Sequence, residues 1–175
     1  MSFTTPAPLL PEILALHGKW RAPDLAVVVE GESWTWRAFT EASHRFAHGL
    51  RSQGITEGAR VGLLMTNGLP MVQAMFGTIA AGCVVVPLNV SVSDRAAVGM
   101  LNDAEVSAVV ASDDLTDRLE LIASELAQPV LKVAPSARLA WLSIDALCAE
   151  QPTTLPALTI GGESLINIIY SSGTT

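Results

Sequence analysis

The sequence predicts an α/β fold with a mainly parallel sheet and helices on both of its faces. Short runs of β-branched apolar residues alternate along the chain with segments in which apolar residues recur every three or four positions. Several of the short runs, such as the one at 84–86, are apolar without interruption, which is typical of strands covered on both faces. Alternation of such strands with helices favours βαβ units and therefore parallel strand pairing.

The strand-like runs are short and separated by turn residues or helical segments. Residues 27–29 and 34–36 flank Gly31 and Glu32, which predicts a hairpin of two strands. Further strands are predicted at 61–65, 84–86, 108–110 and 130–133, a weaker one at 141–142, and a last one at 165–170.

Helices are predicted where the apolar period is close to 3.6. They run from Thr35 or Trp36 to the stop at Gly54, from the turn at 67–70 to Gly82, from the cap Ser93 to about Asn102, over 115–126 and over 144–149. The apolar stretch 71–88 just reaches membrane-span length, but glycines and Pro87 interrupt it, which favours a buried helix followed by a buried strand. Residues 151–160, rich in proline and threonine, are predicted to form an irregular connector before the last strand.

Composition excludes several classes of protein. Half of the residues are hydrophobic and 15% are charged, so the chain can form a sizeable core and does not have the composition of a disordered protein. The net charge is -7 and no stretch gathers Lys and Arg, which disfavours nucleic-acid binding and attraction to anionic membranes.

Neither the amino-terminal residues nor the cysteines indicate an oxidising compartment. The first residues have no basic segment before their leucines, and prolines interrupt them, so they make a poor signal peptide. Cys83 and Cys148 lie far apart without a CxxC pattern, and a buried thiol is the ordinary interpretation of Cys83. We therefore expect a cytoplasmic protein.

The segment that suggests chemistry is the end of the sequence, Ile-Ile-Tyr-Ser-Ser-Gly-Thr-Thr at 168–175. A buried strand there leads into hydroxyl residues around a glycine, and open α/β sheets bind ligands beyond the carboxyl ends of their strands. Hydroxyls and exposed backbone N–H groups suit phosphate oxygens. The segment is not a Walker loop, and an ordinary Ser/Thr/Gly turn is the alternative.

A resemblance to a known family favours the phosphate interpretation. The last eight residues resemble the start of the phosphate loop of the adenylate-forming superfamily, which contains the acyl-CoA synthetases and other AMP-dependent synthetases and ligases. Other segments are similar to that family in order and spacing, over about residues 10 to 175: Ser-Trp-Thr-Trp-Arg-Ala-Phe at 33–39, Gly-Ile-Thr-Glu-Gly-Ala-Arg-Val at 54–61, the Asn67 helix entry, Ala-Gly-Cys-Val-Val-Val-Pro-Leu-Asn at 81–89 and Leu-Asn-Asp-Ala at 101–104. Ala38 and Ala59 stand where the family usually has acidic residues.

The resemblance implies an ATP-dependent carboxylic acid:CoA ligase. Such enzymes form an acyl-adenylate and pyrophosphate from a carboxylic acid, for example a fatty acid, and then transfer the acyl group to a thiol, usually coenzyme A. ATP, Mg²⁺ and coenzyme A are the implied cofactors. The implied ATP-phosphate contacts are Ser171, Ser172, Gly173, Thr174 and Thr175. Thr174-Thr175 favours a CoA ligase over a peptide-synthetase adenylation domain.

By the same resemblance, residues 1–175 are the N-terminal portion of an AMP-binding domain. The family's loop lysine, adenine-binding segment, magnesium ligands and catalytic lysine would lie beyond Thr175. We therefore expect no catalytic residue and no metal ligand within these residues, no adenylation by the 175 residues alone, and self-association through an uncovered sheet edge, for example as a homodimer. A non-catalytic nucleotide-binding or interaction module and a carrier-protein-loading adenylation domain remain as alternatives.

Other candidate residues favour structural roles. His44 and His48 stand four apart on one helix, a spacing that suits metal ligands, but a solvated helix face is the favoured interpretation. His17 falls in a segment that looks like a loop. Asp113, Asp114 and Asp117 lie at the start of a predicted helix, where they complement its dipole.

Overall fold

The computed structural model describes residues 8–171, in which helices and strands alternate along most of the chain. The helices are α1 (Leu10–Trp20), α2 (Trp36–Ser52), α3 (Leu69–Ala80), α4 (Asp94–Asp103), α5 (Thr116–Ala123) and α6 (Ile144–Cys148). The strands are β1 (Leu25–Val29), β2 (Glu32–Thr35), β3 (Arg60–Leu64), β4 (Val84–Pro87), β5 (Val106–Ala111), β6 (Leu131–Ala134) and β7 (Leu142–Ser143).

The main sheet has five parallel strands in the order β4-β3-β5-β6-β7, and β1 and β2 form a separate antiparallel hairpin. Side chains of α2, α3 and α6 pack against one face of the sheet, and those of α4 and α5 against the other. Successive residues of β5 point to opposite faces of the sheet. Val110 packs in the core on the α2, α3 and α6 side, and Val109 packs in the core on the α4 and α5 side. The predicted parallel α/β sheet with helices on both faces is therefore confirmed.

Capping side chains fix where three of the helices begin. The hydroxyl of Thr35 accepts a hydrogen bond from the Ala38 N–H, at 3.3 Å, at the start of α2. Ser93 caps α4 and Ser143 caps α6 in the same way. Each hydroxyl accepts from a first-turn N–H that has no partner within the helix, which explains why the predicted starts are close to those observed.

One helix was not predicted from the sequence. Residues 10–20 form α1, and His17, which we expected in a loop, lies within it and stacks on Trp36 with 4.5 Å between ring centroids. Pro11 suggested an interruption, but it lies in the first turn of α1, where a missing N–H leaves no hydrogen bond unmade. Leu14 is the main apolar anchor of α1, a single buried leucine that gives little periodic signal.

The apolar stretch 71–88 lies mostly in α3 and β4, as predicted. The turn between the two elements contains Gly82 with φ of +76°, a conformation that glycine adopts without a Cβ clash. Among residues 8–171, no helix has the length and apolarity needed to cross a bilayer.

Close packing of α2 on α3 depends on Gly77. A Cβ at this position would lie 2.6 Å from Cδ1 of Phe46, a fully buried ring. Gly99, on the exposed side of α4, has no atom within 4 Å of the same imagined Cβ. The two helical glycines therefore form a matched pair that differs in packing.

We expect Gly77→Ala to lower the free energy of unfolding by about 1–3 kcal/mol, because overpacking outweighs the gain in helix propensity. Gly99→Ala should raise it by about 0.5–1 kcal/mol through propensity alone. Urea unfolding followed by circular dichroism measures both. A change in the same direction for the two variants would contradict the packing explanation.

Candidate functional site

Residues 165–171, here called the edge segment, lie beside β4 at one edge of the sheet. The Val85 N–H donates to the Ile166 carbonyl and the Ile168 N–H donates to the Val85 carbonyl, each at 2.9 Å. These bonds make a parallel bridge between Val85 and Asn167. The segment runs parallel to β4, so it leads towards the carboxyl ends of the strands. Ser171 is exposed there.

The edge segment is not the regular strand that was predicted for 165–170, since it pairs through one bridge only. The reason lies in β4. The next bond of a parallel ladder would require an N–H at Pro87, two residues after Val85, and proline has none. The prediction of a strand is wrong in extent, although its parallel direction is as expected.

Tyr170 holds the carboxyl end of the edge segment. Its Oη donates to Oδ2 of Asp103, at the end of α4, over 2.6 Å. Desolvation first, then this hydrogen bond and the carboxylate charge, raise the pKa of Tyr170 to about 12. The ring packs against the core on the α4 side together with Ile168, so alternate residues of the segment face this core.

The predicted phosphate contacts are described only in part. Ser171 is exposed directly after the anchored Tyr170, a position from which its hydroxyl can meet a ligand. Ser172, Gly173, Thr174 and Thr175 lie outside the described residues, and their role stays a prediction.

Two hydroxyl residues that the sequence did not single out lie at the carboxyl ends of neighbouring strands. Thr66 follows β3 and Ser112 follows β5, where the order of the strands reverses and open α/β sheets often bind ligands. The Thr66 N–H donates to Oγ of Ser112 over 2.8 Å, and the two hydroxyl oxygens are 3.1 Å apart. Because each satisfies the other, we assign them a structural role.

Residues 151–160, the proposed connector, form no regular helix or strand and lie along α2. Nδ1 of His44 is 2.8 Å from the Thr153 carbonyl, and Nε2 of His48 is 2.9 Å from the Thr154 carbonyl. A carbonyl can only accept, so each of these ring nitrogens donates an N–H. The interpretation of both histidines as a solvated helix face is wrong: His44 is buried and both rings hold the connector.

His44 is a neutral side chain in this setting. Its Nε2 is buried without a hydrogen-bond partner among the described residues. Burial, supported by the nearby His48, lowers the pKa of His44, although the Thr153 carbonyl and Glu41 act in the opposite direction. A proton on Nε2 would place a second N–H where no acceptor is available.

Arg51 and Glu57 hold the connector further along. Nη1 of Arg51 donates to the Ala157 carbonyl over 2.8 Å, and Nη2 donates to the Ala81 carbonyl at 3.0 Å and to Glu57 at 2.7 Å. Glu57 also accepts from the N–H and hydroxyl of Thr159. The Thr159 hydroxyl is the main cause that lowers the pKa of Glu57, with Arg51 contributing.

No pattern in the sequence indicates this set of contacts. Arg51 and Ala157 are separated by 106 positions, and the connector is bound chiefly through its main chain, so no residue pattern marks the contact. We refer to His44, His48, Arg51 and Glu57 together as the clasp.

The remaining candidates have structural roles. Asp113 accepts from the N–H and hydroxyl of Ser136, and Asp117 pairs with Arg138 at 2.6 Å. Cys83 is buried, as expected, and burial raises the pKa of its thiol to about 11. Within 8–171, no three His, Cys, Asp or Glu side chains converge in a way that could hold a metal ion.

Comparison with known proteins identifies relatives of two kinds. The chain is 28% identical to a 3-hydroxybenzoate/4-hydroxybenzoate–CoA ligase of Thauera aromatica, a match that covers 86% of this chain and 29% of that protein. It is 33% identical to the isonitrile lipopeptide synthase of Mycobacterium tuberculosis, with 98% of this chain and 6% of that protein covered. The chain thus spans less than a third of the length of either relative.

A solved structure of a CoA ligase has a similar fold. The crystal structure of the anthranilate CoA ligase AuaEII in complex with anthranoyl-AMP superposes with a TM-score of 0.89 at 25% identity, covering 97% of this chain and 34% of that one. A family model described as AMP-binding enzyme matches residues 18–175. The chain therefore belongs to the AMP-binding enzyme family.

Proposed function

We propose that this chain is the N-terminal portion, residues 1–175, of the adenylation domain of an AMP-forming acid–thiol ligase. The edge segment is the observation that carries the proposal. It runs parallel to β4, is anchored at Tyr170, and leads to exposed Ser171 at the carboxyl ends of the strands, and hydroxyl residues follow Ser171 in the sequence. That edge is where parallel α/β sheets bind their ligands.

The proposed role of residues 171–175, which begin at the end of the edge segment, is to hold phosphate oxygens while a carboxylate attacks the α-phosphorus of ATP. Hydroxyl and backbone N–H groups of residues 171–175 would donate to the β- and γ-phosphates and stabilise the charge that moves onto pyrophosphate. Gly173 would allow close approach of the backbone. Magnesium bound with ATP would neutralise part of the phosphate charge, and we assign no magnesium ligand among the described residues.

Coenzyme A is the proposed thiol acceptor, and a small carboxylic acid is the proposed substrate. Two of the relatives are CoA ligases by name, a hydroxybenzoate–CoA ligase and an anthranilate CoA ligase, which favours an aromatic acid here, and a fatty acid is the alternative substrate. The second candidate is a domain that loads a carrier protein, favoured by the similarity to the lipopeptide synthase. A cytoplasmic location and a role in fatty acid metabolism stay predictions.

We expect the full-length protein to catalyse ATP–pyrophosphate exchange that depends on a carboxylic acid. Thr174→Val and Thr175→Val should each lower kcat/KM for ATP by roughly tenfold to a hundredfold, the effect of losing one hydrogen bond worth about 1.5–3 kcal/mol to a charged group. Ser33→Ala, in the exposed hairpin strand β2, is the matched control and should leave exchange unchanged.

Two results would overturn the assignment: no exchange with any acid from an aryl and fatty acid panel, or valine variants as active as the control. Product analysis separates the two acceptors. Acyl-CoA formed from free coenzyme A supports the ligase, whereas transfer only to a carrier protein supports the loading domain.

Self-association is a further proposal, based on apolar side chains of the edge segment. Leu165 and Ile169 are 58% and 71% exposed, although they belong to a segment that extends the sheet. Exposed apolar groups on a sheet edge favour association with a second copy.

We expect the 175-residue chain to self-associate, measured by sedimentation velocity over a range of concentrations. Leu165→Glu combined with Ile169→Glu should shift it towards monomer. Leu139→Glu, at a 93% exposed leucine between β6 and β7, is the control and should have no effect. A wild-type chain that stays monomeric at high concentration would refute the proposal.

A further inference from the structure

The clasp binds the connector in a way that fixes its position along α2. His44, His48 and Arg51 are spaced at i, i+4 and i+7, so they lie on one face of the helix. Their partners are carbonyls of Thr153, Thr154 and Ala157, in the same order. Seven helical residues rise roughly 10 Å, and four extended residues reach about 13 Å, so the connector runs alongside α2 in the same direction.

Arg51 joins the connector to the amino-terminal side of the sheet. Its guanidinium reaches the Ala81 carbonyl at the end of α3, the Ala157 carbonyl and the Glu57 carboxylate. Glu57 lies in the turn before β3, and its side chain passes over Gly82, where a Cβ would be 2.8 Å from Cγ of Glu57. The connector is therefore fixed to the residues that immediately precede β3 and β4.

The edge segment itself contains little that fixes its register. It has two ladder hydrogen bonds to β4, and Pro87 removes the next one. A slip by one residue would exchange the faces of the segment, turning Ile168 and Tyr170 away from the α4 side. It would also break the Tyr170–Asp103 hydrogen bond and move Ser171 relative to the sheet.

We propose that the clasp residues are positioning residues that set the register in which the edge segment joins the sheet, and so the position at which the proposed phosphate loop, residues 171–175, begins. Glu57 fixes Thr159, a few residues before the segment starts, to the residues that precede β4. Only seven residues separate Thr159 from Asn167, and they include a turn that a hydrogen bond from the Ser164 N–H to the Gly161 carbonyl closes. The consequence for ATP rests on the proposed function, whereas the register itself does not.

The histidine part of the clasp should make stability depend on pH. The pKa of His44 is lower in the folded chain than the ordinary value of 6.5, so the unfolded chain binds a proton first as pH falls. Stability from this source is complete above the unfolded pKa of about 6.5 and is lost as pH falls from there through the lower pKa of the folded state. Lys19 of α1 and Arg37 and Glu41 of α2 line the same cleft as His44, and His48 lies one turn further along.

We expect the free energy of unfolding of the wild-type chain to decrease as the pH is lowered from about 7.5 to 5.5. Urea unfolding at each pH measures it. His44→Gln, whose amide can still donate to Thr153, should flatten this dependence. His17→Gln is the histidine control and should preserve it. An unchanged slope in His44→Gln would show that His44 is not the group responsible.

Hydrogen–deuterium exchange on the 175-residue chain tests the register directly. Arg51→Met should raise exchange about tenfold or more at the amides of Val85 and Ile168, which form the bridge. Arg45→Ala, at an exposed arginine on the same helix, is the control and should leave these amides protected. Should Arg51→Met fail to fold, Glu57→Ala removes the bonds to Thr159 and leaves Arg51 in place. Unchanged protection in a folded clasp variant would overturn the proposal.

The full-length protein tests the consequence for the loop. Arg51→Met should raise KM for ATP about fivefold or more and leave KM for the carboxylic acid unchanged, and Arg51→Lys should be intermediate, since an ammonium cannot reproduce the planar fork. Lost protection with an unchanged KM for ATP would refute the link between register and loop. If the wild-type protein shows no exchange of pyrophosphate, the proposed function fails, and the deuterium data alone decide whether the clasp sets the register.

Discussion

The central parallel strands are covered by helices on both faces, and this constraint governs the rest of the structure. Val61, Val109 and Val110 are fully buried, so each strand must supply apolar residues in both directions. Parallel neighbours also need crossovers, which the chain provides as α3, α4 and α5. Where the helices approach closely, glycine is required: a Cβ on Gly62 would lie 2.7 Å from Leu101, and one on Gly77 would meet Phe46.

The outer strand β4 imposes a different constraint, because it pairs with the neighbouring strand β3 on one side only. Its backbone hydrogen-bonding groups on the other side need another partner. Residues far along the chain occupy that side, and their pairing is weak, since it consists of two hydrogen bonds next to Pro87. Local pairing therefore cannot determine where the edge segment sits. Side chains on either side of it do so: the clasp before it, and the Tyr170–Asp103 hydrogen bond at its end.

Most of the fold could be predicted from the sequence because its signals are local. The β-branched run at 84–86 and the capping residues Thr35 and Ser93 each act within a few positions. The main feature that the sequence did not predict depends on contacts between residues that are distant in sequence. Helix α1 is stabilised by packing on α2, where Gly18 approaches Thr40 and His17 stacks on Trp36, and these partners are distant in sequence. Helix α5 ends at Ala123 instead of reaching Leu126, although Leu126 still packs against the core.

The candidate site also combines residues with a local sequence signal and residues that act through contacts distant in sequence. The proposed phosphate contacts are adjacent in sequence and could be predicted as a group, whereas the residues proposed to position them could not. Arg51 and Glu57 are ordinary charged residues near a helix end, and His44 and His48 suggested only a helical face. Their partners are mainly main-chain groups more than a hundred positions away, and a main-chain carbonyl looks the same in every residue.

The two ends of the edge segment are held by different chemistry. Before the segment, Arg51 bonds to Ala81, Ala157 and Glu57, so its charge is neutralised by a carboxylate and by carbonyl dipoles next to the sheet. After it, Tyr170 donates to Asp103, and the chain then continues into exposed Ser171. The guanidinium of Arg51 is thus engaged next to the amino-terminal end of β4, whereas Ser171 follows the carboxyl end of the edge segment. Under the proposed function, Arg51 would act on ATP binding only through the position of the backbone, which is the physical distinction between a positioning residue and a residue that touches the substrate.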